Sequence, residues 1–212
     1  MSALNRYLRL SGACIALMLS TGCIQLAAAW TNISGGDWIE AEFTLTKQPL
    51  LILIDDRSSV VTEPIAIREL YKTIAENFTH FKVNNMLVPF EDWQRLVQSD
   101  SRYARYSARQ IGEKLGAEQV LYINVDRFTI HAEAGTPVFQ GEFTVRVKVL
   151  STNREKDVRV WPSEESGKRM SVTTPATPAD SEKTAGDVAT ELGIKLGKEV
   201  AKHFYGHREL EK

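Results

Sequence analysis

The sequence predicts an α/β fold, more narrowly an α+β arrangement in which one mixed sheet of three to five strands is packed by three to four helices. Leu50–Ile54 is a continuous apolar run that stops at two aspartates, as a strand buried on both faces does. Gln119–His131 and Pro137–Leu150 alternate apolar and polar residues, which indicates a long antiparallel hairpin with one face on the core.

The first half of the domain alternates strands and helices. After Leu50–Ile54, Thr62 is placed to cap a helix, and apolar residues recur at helical spacing over Pro64–Phe81. Met86–Val88 is predicted to be a short strand, because it is apolar and is closed by a proline. A shorter helical stripe covers Phe90–Val97.

The second half begins with a short helix and continues as strands. Ser107 and Gln110 form a capping-box pair, and Gly116 is suited to end the helix that they begin. The long hairpin follows. Val158–Trp161 and Met170–Thr173 then predict two shorter strands.

A long helix over Ser181–Phe204 is the last predicted element. Its apolar residues recur every fourth position: Val188, Leu192, Leu196 and Val200. Because this helix and Pro64–Phe81 both carry wide apolar stripes, we expect them to pack on the same face of the sheet. The predicted order is β-α-β-α-α-β-β-β-α.

The amino-terminal segment predicts export. Arg6 and Arg9 precede Leu10–Leu19, an apolar run of signal-peptide length that is shorter than the roughly 20 residues of a membrane-spanning helix. Small residues before Cys23 resemble a lipobox, which predicts cleavage at that point and lipidation of Cys23. Ordinary secretory cleavage after Ala29 is the alternative.

These signals divide the chain into four predicted parts: a signal peptide over residues 1–22, a tether over 23–49, one α/β domain over 50–205, and a flexible tail over 206–212. The two cysteines are Cys14, inside the signal peptide, and Cys23. A lipidated mature chain therefore has no free thiol, which excludes a cysteine nucleophile and a cysteine zinc site.

Charge argues against nucleic acid as a partner. The chain has 26 Lys and Arg against 27 Asp and Glu. Without Arg6 and Arg9 the balance is 24 against 27, a net charge of −3. A near-neutral chain lacks the basic excess that drives binding to a phosphate backbone.

Two groups of residues are candidate sites. Asp55 and Asp56 follow the predicted central strand, at the end of a sheet where ligands and catalytic carboxylates gather. No phosphate loop or nucleophile-elbow motif accompanies them, so we read the pair as a strand end and keep a hydrolase as the alternative. His203 and His207 have helical spacing, but we expect a solvated helix end and no metal site.

The second candidate is a basic, aromatic segment between two predicted helices. Arginine and tyrosine are enriched in interaction hot spots, so we expect this segment to bind a partner from a loop. Contact with lipid head groups and an exposed loop without a partner are the alternatives. Its residues are Arg102, Tyr103, Arg105, Tyr106 and Arg109.

Four places in the chain resemble a family of envelope domains. They are Leu50–Ile54 with its helix, Met86–Pro89 with its helix, Ile111–Leu121, and Val145–Ser151 running towards Val158–Trp161. The family includes the curli-secretion lipoproteins, the lipoprotein activators of peptidoglycan synthases, and the amino-terminal domain of the Tol-system propeller protein. Asn153 and the two residues after it depart from the family's usual Thr-Gly turn.

The resemblance implies a non-enzymatic adaptor or assembly role on the periplasmic face of a bacterial membrane, which we expect to be the outer membrane. The expected partners are the membrane, through the lipid anchor, and an envelope protein whose identity fold likeness cannot supply. No cofactor is expected. The alternative is a periplasmic hydrolase that uses Asp55 and Asp56.

Overall fold

The computed structural model describes residues 37–131, 138–153, 158–178 and 183–209. Cys23 and the predicted signal peptide lie outside these residues. The chain divides into two compact units, one made of Met1–Glu40 with Gly206–Lys212 and the other of Ala41–Tyr205.

The smaller unit contains a two-stranded antiparallel ribbon. Its strands are β1, Asp37–Ile39, and β8, His207–Glu209. Gly206 precedes β8, and a Cβ atom at this position would lie 2.3 Å from the Trp38 indole, so the ribbon requires glycine here. The sequence indicated a tether and a flexible tail at these two places, but residues 37–39 and 207–209 form strands that pair with each other.

The larger unit is built on one mixed sheet. β2, Leu50–Asp55, pairs in parallel with β3, Gln119–His131, and β3 pairs antiparallel with β4, Val138–Ser151. Three short strands share the other edge of β4: β5, Arg159–Trp161; β6, Lys168–Thr173; and β7, Thr177–Pro178. Among the described residues the sheet therefore has six strands, one more than the predicted maximum. The additional strand arises because β4 is long, and three short strands pair with different parts of the same edge.

Helices α1, Ile65–His80, and α4, Ala185–Lys202, pack together on one face of this sheet. Two glycines of α4 bring its backbone against α1. A Cβ atom at Gly193 would lie 2.5 Å from the carbonyl oxygen of Ala66, and one at Gly197 would lie 2.6 Å from Cβ of Thr73. The expectation that the two long helices share a sheet face is confirmed, and the α/β class with it.

The other face of the sheet is packed by shorter elements. They are α2, Phe90–Ser99; a 3₁₀ turn, Tyr103–Arg105; and α3, Ala108–Lys114. These elements cover β2 and the first part of β3 with a small second core. Further along, β3 and β4 carry polar side chains on this face, and Arg146 pairs with Asp126 at 2.8 Å.

Helix caps follow the sequence in one case and differ in another. Ser107 and Gln110 form the predicted capping box of α3, and Gly116 has the positive φ of 69° that its place after the helix requires. The predicted cap at Thr62 is wrong. Pro64 precedes the first residue of α1, and no side chain caps that helix.

Two other boundaries differ from the prediction. Met86–Val88 forms a single parallel bridge, between Leu87 and Leu50, because only Leu50 exchanges backbone hydrogen bonds with this segment. The folded unit also begins before Leu50, since Leu45 is buried in the core and Phe43 packs against it.

The helices give the larger unit two distinct ends. The carboxyl end of α1 lies beside the start of β2, since Asn84 donates hydrogen bonds to the carbonyls of Thr46 and Gln48. Contacts between Phe78 and Phe204 place the carboxyl end of α4 there too. We call this end of the larger unit the base. We call the opposite end, where β2 ends, the apex.

The packing of α4 predicts a large effect for a core truncation. Leu196 is fully buried between α1 and the sheet. Leu196→Ala should lower the free energy of unfolding by about 2–5 kcal/mol, through lost apolar burial and the cavity that remains. Urea unfolding measures the change, with the exposed Lys198→Ala of the same helix as control. Equal stabilities for the two variants would contradict this packing.

Candidate functional site

Asp55 ends β2 at the apex, and its carboxylate is bonded on both oxygens. Oδ2 accepts a hydrogen bond of 2.7 Å from the Tyr122 hydroxyl, and Oδ1 lies 3.2 Å from Nε of Arg57. Burial, together with the Asp55 carboxylate, raises the pKa of Tyr122, so this hydroxyl remains a hydrogen-bond donor at physiological pH. The group is a small polar cluster that holds the ends of β2 and β3 together.

Asp56 serves a different purpose in the loop that follows. Its two carboxylate oxygens accept hydrogen bonds from the backbone N–H groups of Val60, at 2.8 Å, and Val61, at 3.0 Å. The carboxylate therefore closes the loop that leads into α1. The two aspartates of the hydrolase alternative each have protein donors of their own, and neither lines the cleft described below.

The predicted arginine and tyrosine segment folds as a 3₁₀ turn packed against α2 and α3. Tyr103 accepts a hydrogen bond of 2.8 Å from the indole N–H of Trp93, and Tyr106 donates one of 2.8 Å to Asp100. The ammonium group of Lys114 lies 4.5 Å from the centre of the Tyr106 ring. Both tyrosines pack on the second core, so they hold the turn in place.

Asp100 is the hub that fixes this turn. It accepts hydrogen bonds from the Tyr106 hydroxyl and from the backbone N–H of Arg102, and it lies 3.7 Å from the ammonium group of Lys114. The Tyr106 bond, the Arg102 backbone and the two nearby cations hold the pKa of Asp100 below its ordinary value.

The three arginines of the segment have different surroundings. The guanidinium of Arg109 is 19 % exposed, lies 3.4 Å from Glu113, and donates a hydrogen bond to the carbonyl of Thr152. Arg102 is 70 % exposed and makes only a 3.5 Å ion pair with Asp100, and Arg105 is exposed on the turn. Of the five predicted residues, Arg102 and Arg105 are therefore the two whose charged groups face solvent.

An apolar cleft of about 260 Å³ lies between α1 and α2. Its apolar lining residues are Pro64, Ile67, Phe90, Trp93 and Val97, and its polar lining residues are Arg68, Gln94 and Gln98.

The cleft and the turn share Trp93. Its ring lines the cleft, and its N–H bonds to Tyr103 on the turn. We call the cleft together with Arg102 and Arg105 the apical surface. The sequence predicts a helical stripe over Phe90–Val97 but not the cleft, because a stripe does not reveal which of its apolar residues remain open to solvent. In the structure Val97 lines the cleft and is 42 % exposed.

A polar cluster at the base ties the first residues of the larger unit to α4. The Nδ1 atom of His203 lies 2.8 Å from Oε1 of Glu42, and the ammonium group of Lys168 bonds to the same carboxylate. Burial and the charge of Lys168 lower the pKa of His203, although Glu42 and Glu199 act in the opposite direction. Burial alone would raise the pKa of Glu42, but Lys168 and His203 together hold it below its ordinary value.

Two features of the described residues concern other classes of site. They contain no group of three or more His, Cys, Asp or Glu residues arranged to hold a metal ion. Within the same residues, no helix is both long enough and apolar enough to cross a bilayer.

The chain matches no protein-family profile and no curated protein sequence. Solved structures similar to it include lipoprotein GNA1162 from Neisseria meningitidis, with 10% identity, a TM-score of 0.41, and coverage of 74% of this chain and 99% of that one. The hypothetical protein CT253 from Chlamydia trachomatis gives 11% identity, a TM-score of 0.41, and coverage of 74% and 98%. The PelC dodecamer from Paraburkholderia phytofirmans gives 12%, 0.35, and coverage of 76% and 91%.

Bacterial lipoproteins are thus among the structures to which this chain is similar. Membership of the curli-secretion and synthase-activator group stays a prediction. At these identities and TM-scores, the function of the chain has to be inferred from its own residues.

The cluster at the base predicts a loss of stability in mild acid. Because the pKa of His203 is lower in the folded chain than its ordinary 6.5, the unfolded chain binds more protons just below pH 6.5. The free energy of unfolding should therefore be fully present above pH 6.5 and fall as the pH drops from 6.5 towards the folded pKa. The lowered pKa of Glu42 adds a second loss below about 4.5.

Urea unfolding at several pH values tests this assignment. In His203→Gln the slope just below pH 6.5 should flatten, while the loss near pH 4.5 should persist in weaker form. Lys198→Gln, which changes an exposed residue of the same helix, should keep the wild-type slope. If the free energy of unfolding of the wild type increases as the pH falls from 7 to 5.5, the pKa of His203 is raised in the folded chain, and the assignment is contradicted.

Proposed function

We propose that this chain is a non-enzymatic lipoprotein of the bacterial envelope that binds another envelope protein through the apical surface. Lipidation of Cys23 would anchor it on the periplasmic face of the outer membrane, and the domain over Ala41–Tyr205 would do the binding. The observation that carries the proposal is the apolar cleft between α1 and α2, joined through Trp93 to two exposed arginines.

The apical surface has the composition of a protein-binding site. Buried anchors at interfaces are enriched in aromatic residues and arginine, and they are surrounded by a polar rim. Phe90 and Trp93 line the cleft together with the polar side chains of Gln94 and Gln98. The turn beside the cleft is held by the second core, so Arg102 can meet a partner at little cost in backbone ordering.

The surroundings of Asp55 and Asp56 support the hydrolase alternative less than the apical surface supports binding. A catalytic pair would need a pocket that holds both aspartates and a third polar group. Asp55 bonds to Tyr122 and Arg57, and Asp56 bonds to backbone N–H groups of its own loop. These bonds account for both side chains as parts of the fold.

Photo-crosslinking in cells tests the proposal. With a photoreactive residue in place of Arg105 in the full chain, we expect a discrete adduct with one envelope protein. The same residue in place of Arg169, an exposed arginine of β6, should give none. Val97→Asp or Arg102→Glu should reduce the adduct about tenfold or more, since loss of one hot spot costs at least about 2 kcal/mol. Each variant should unfold near the wild-type temperature, because both side chains are exposed.

Two outcomes would contradict the proposal. Equal adducts from positions 105 and 169 would mean that the apical surface is not a specific interface. If Asp55→Asn fails to complement a deletion strain while its thermal midpoint is unchanged, the hydrolase is favoured.

A further inference from the structure

The base carries a partly exposed aromatic stack, in which the Tyr205 hydroxyl donates a hydrogen bond of 3.3 Å to Asn77. The rings of Phe81 and Tyr205 lie parallel, with their centres 3.9 Å apart, and His80 meets the edge of Phe81 at 4.7 Å. Phe81 directly follows α1 and is 43 % exposed, whereas Phe78, the phenylalanine within α1, is fully buried. A large apolar ring in this position is not explained by packing of the core.

Two lysines are close to these rings in the sequence. Lys82 is exposed directly after Phe81, and Lys202 is 38 % exposed on α4, with a weak 3.7 Å ion pair to Glu199. We call His80, Phe81, Lys82, Lys202 and Tyr205 the base patch. Aromatic rings with a polar edge, together with lysines that reach outward, are the side chains that occupy the boundary between hydrocarbon and headgroups.

The base is also where the chain joins the larger unit. Glu42 and Phe43 both donate backbone hydrogen bonds to the carbonyl of His203, next to the base patch. Seventeen residues separate Cys23 from Ala41, and they can span at most about 60 Å. A lipid on Cys23 therefore keeps the base within reach of the bilayer, at an effective concentration that allows even a weak contact to form.

We propose that the base patch is a lipid-contacting surface, which rests the base of the domain on the bilayer that holds the anchor and turns the apical surface away from it. This inference rests on the proposed anchoring at Cys23. The size of the patch favours lipid over protein. Phe81 is 43 % exposed and Tyr205 less so, and a fully exposed aromatic side chain buries only about 150–250 Å², whereas a stable protein interface buries about 800 Å² on each partner.

Vesicle co-sedimentation tests the base patch without the anchor. The probe is the mature chain with Cys23→Ser, at millimolar lipid, on vesicles of phosphatidylethanolamine with phosphatidylglycerol. We expect binding that weakens about tenfold in Phe81→Ser and about fivefold or more in Lys82→Glu. Neither change should occur in Val97→Ser, whose side chain is as exposed as Phe81 but lies on the apical surface. Replacing phosphatidylglycerol by phosphatidylcholine should also weaken binding.

Three results would overturn the inference: no binding at millimolar lipid, equal losses in Val97→Ser and Phe81→Ser, or binding that depends on Trp38 alone. Trp38 is the exposed tryptophan of β1, so Trp38→Ser belongs in the set. Thermal unfolding of every variant separates loss of binding from loss of folding.

The anchor has a separate test. Release of Cys23→Ser into the soluble periplasmic fraction would support the anchor, whatever the vesicles show. If that variant instead stays in washed membranes and is released when Phe81→Ser is added, the base patch is supported and the lipid anchor is contradicted. An unmodified mature chain that starts at Trp30 would contradict the lipid anchor. The base patch would then be judged by vesicle binding alone.

Discussion

The close approach of α1 and α4 is the constraint on which the rest of the structure depends. Gly193 and Gly197 place the backbone of α4 against Ala66 and Thr73, and a methyl group at Gly193 would meet a carbonyl oxygen at 2.5 Å. A backbone atom cannot move aside as the end of a flexible side chain can. The two helices therefore form one close-packed layer, and the sheet buries its main apolar face against that layer.

This packing gives the domain its two ends. The two helices run parallel, so both finish at the base, where Phe78 meets Phe204 and the first residues of the larger unit join α4. β2 runs the opposite way and finishes at the apex with Asp55. Under the proposed function, attachment at the base would leave the apex free to meet a partner, because the helix packing puts the two ends on opposite sides of the larger unit.

Much of the fold could be predicted from residue periodicity. The buried strand, the long hairpin and both long helices follow from apolar spacing, and the capping box of α3 follows from two residues. The close approach at the glycines of α4 could not be predicted, because a glycine in a helical stripe does not reveal which backbone it touches. The pairing of β1 with β8 joins residues about 170 positions apart, and local pattern carries no signal for such a contact.

The candidate site could be located from the sequence only in part. The composition of the segment from Arg102 to Arg109 marked it as a candidate binding segment. It could not show that Tyr103, Tyr106 and Arg109 would be held by Trp93, Asp100 and Thr152, because those bonds depend on tertiary packing. The base patch was invisible for the same reason, since Phe81 and Tyr205 meet only when α1 and α4 are aligned.

The orientation of the domain on the membrane tests the account most directly. If the chain is cleaved and lipidated at Cys23 as proposed, it keeps no other cysteine, so a single new cysteine can carry a spin label. In lipid nanodiscs, we expect a spin label at Lys82→Cys to be relaxed more strongly by a lipid-soluble paramagnetic quencher than by a water-soluble one. A spin label at Arg105→Cys should show the opposite preference. Equal accessibility of the two positions, or the reverse order, would contradict an anchored domain that rests on its base and presents its apex.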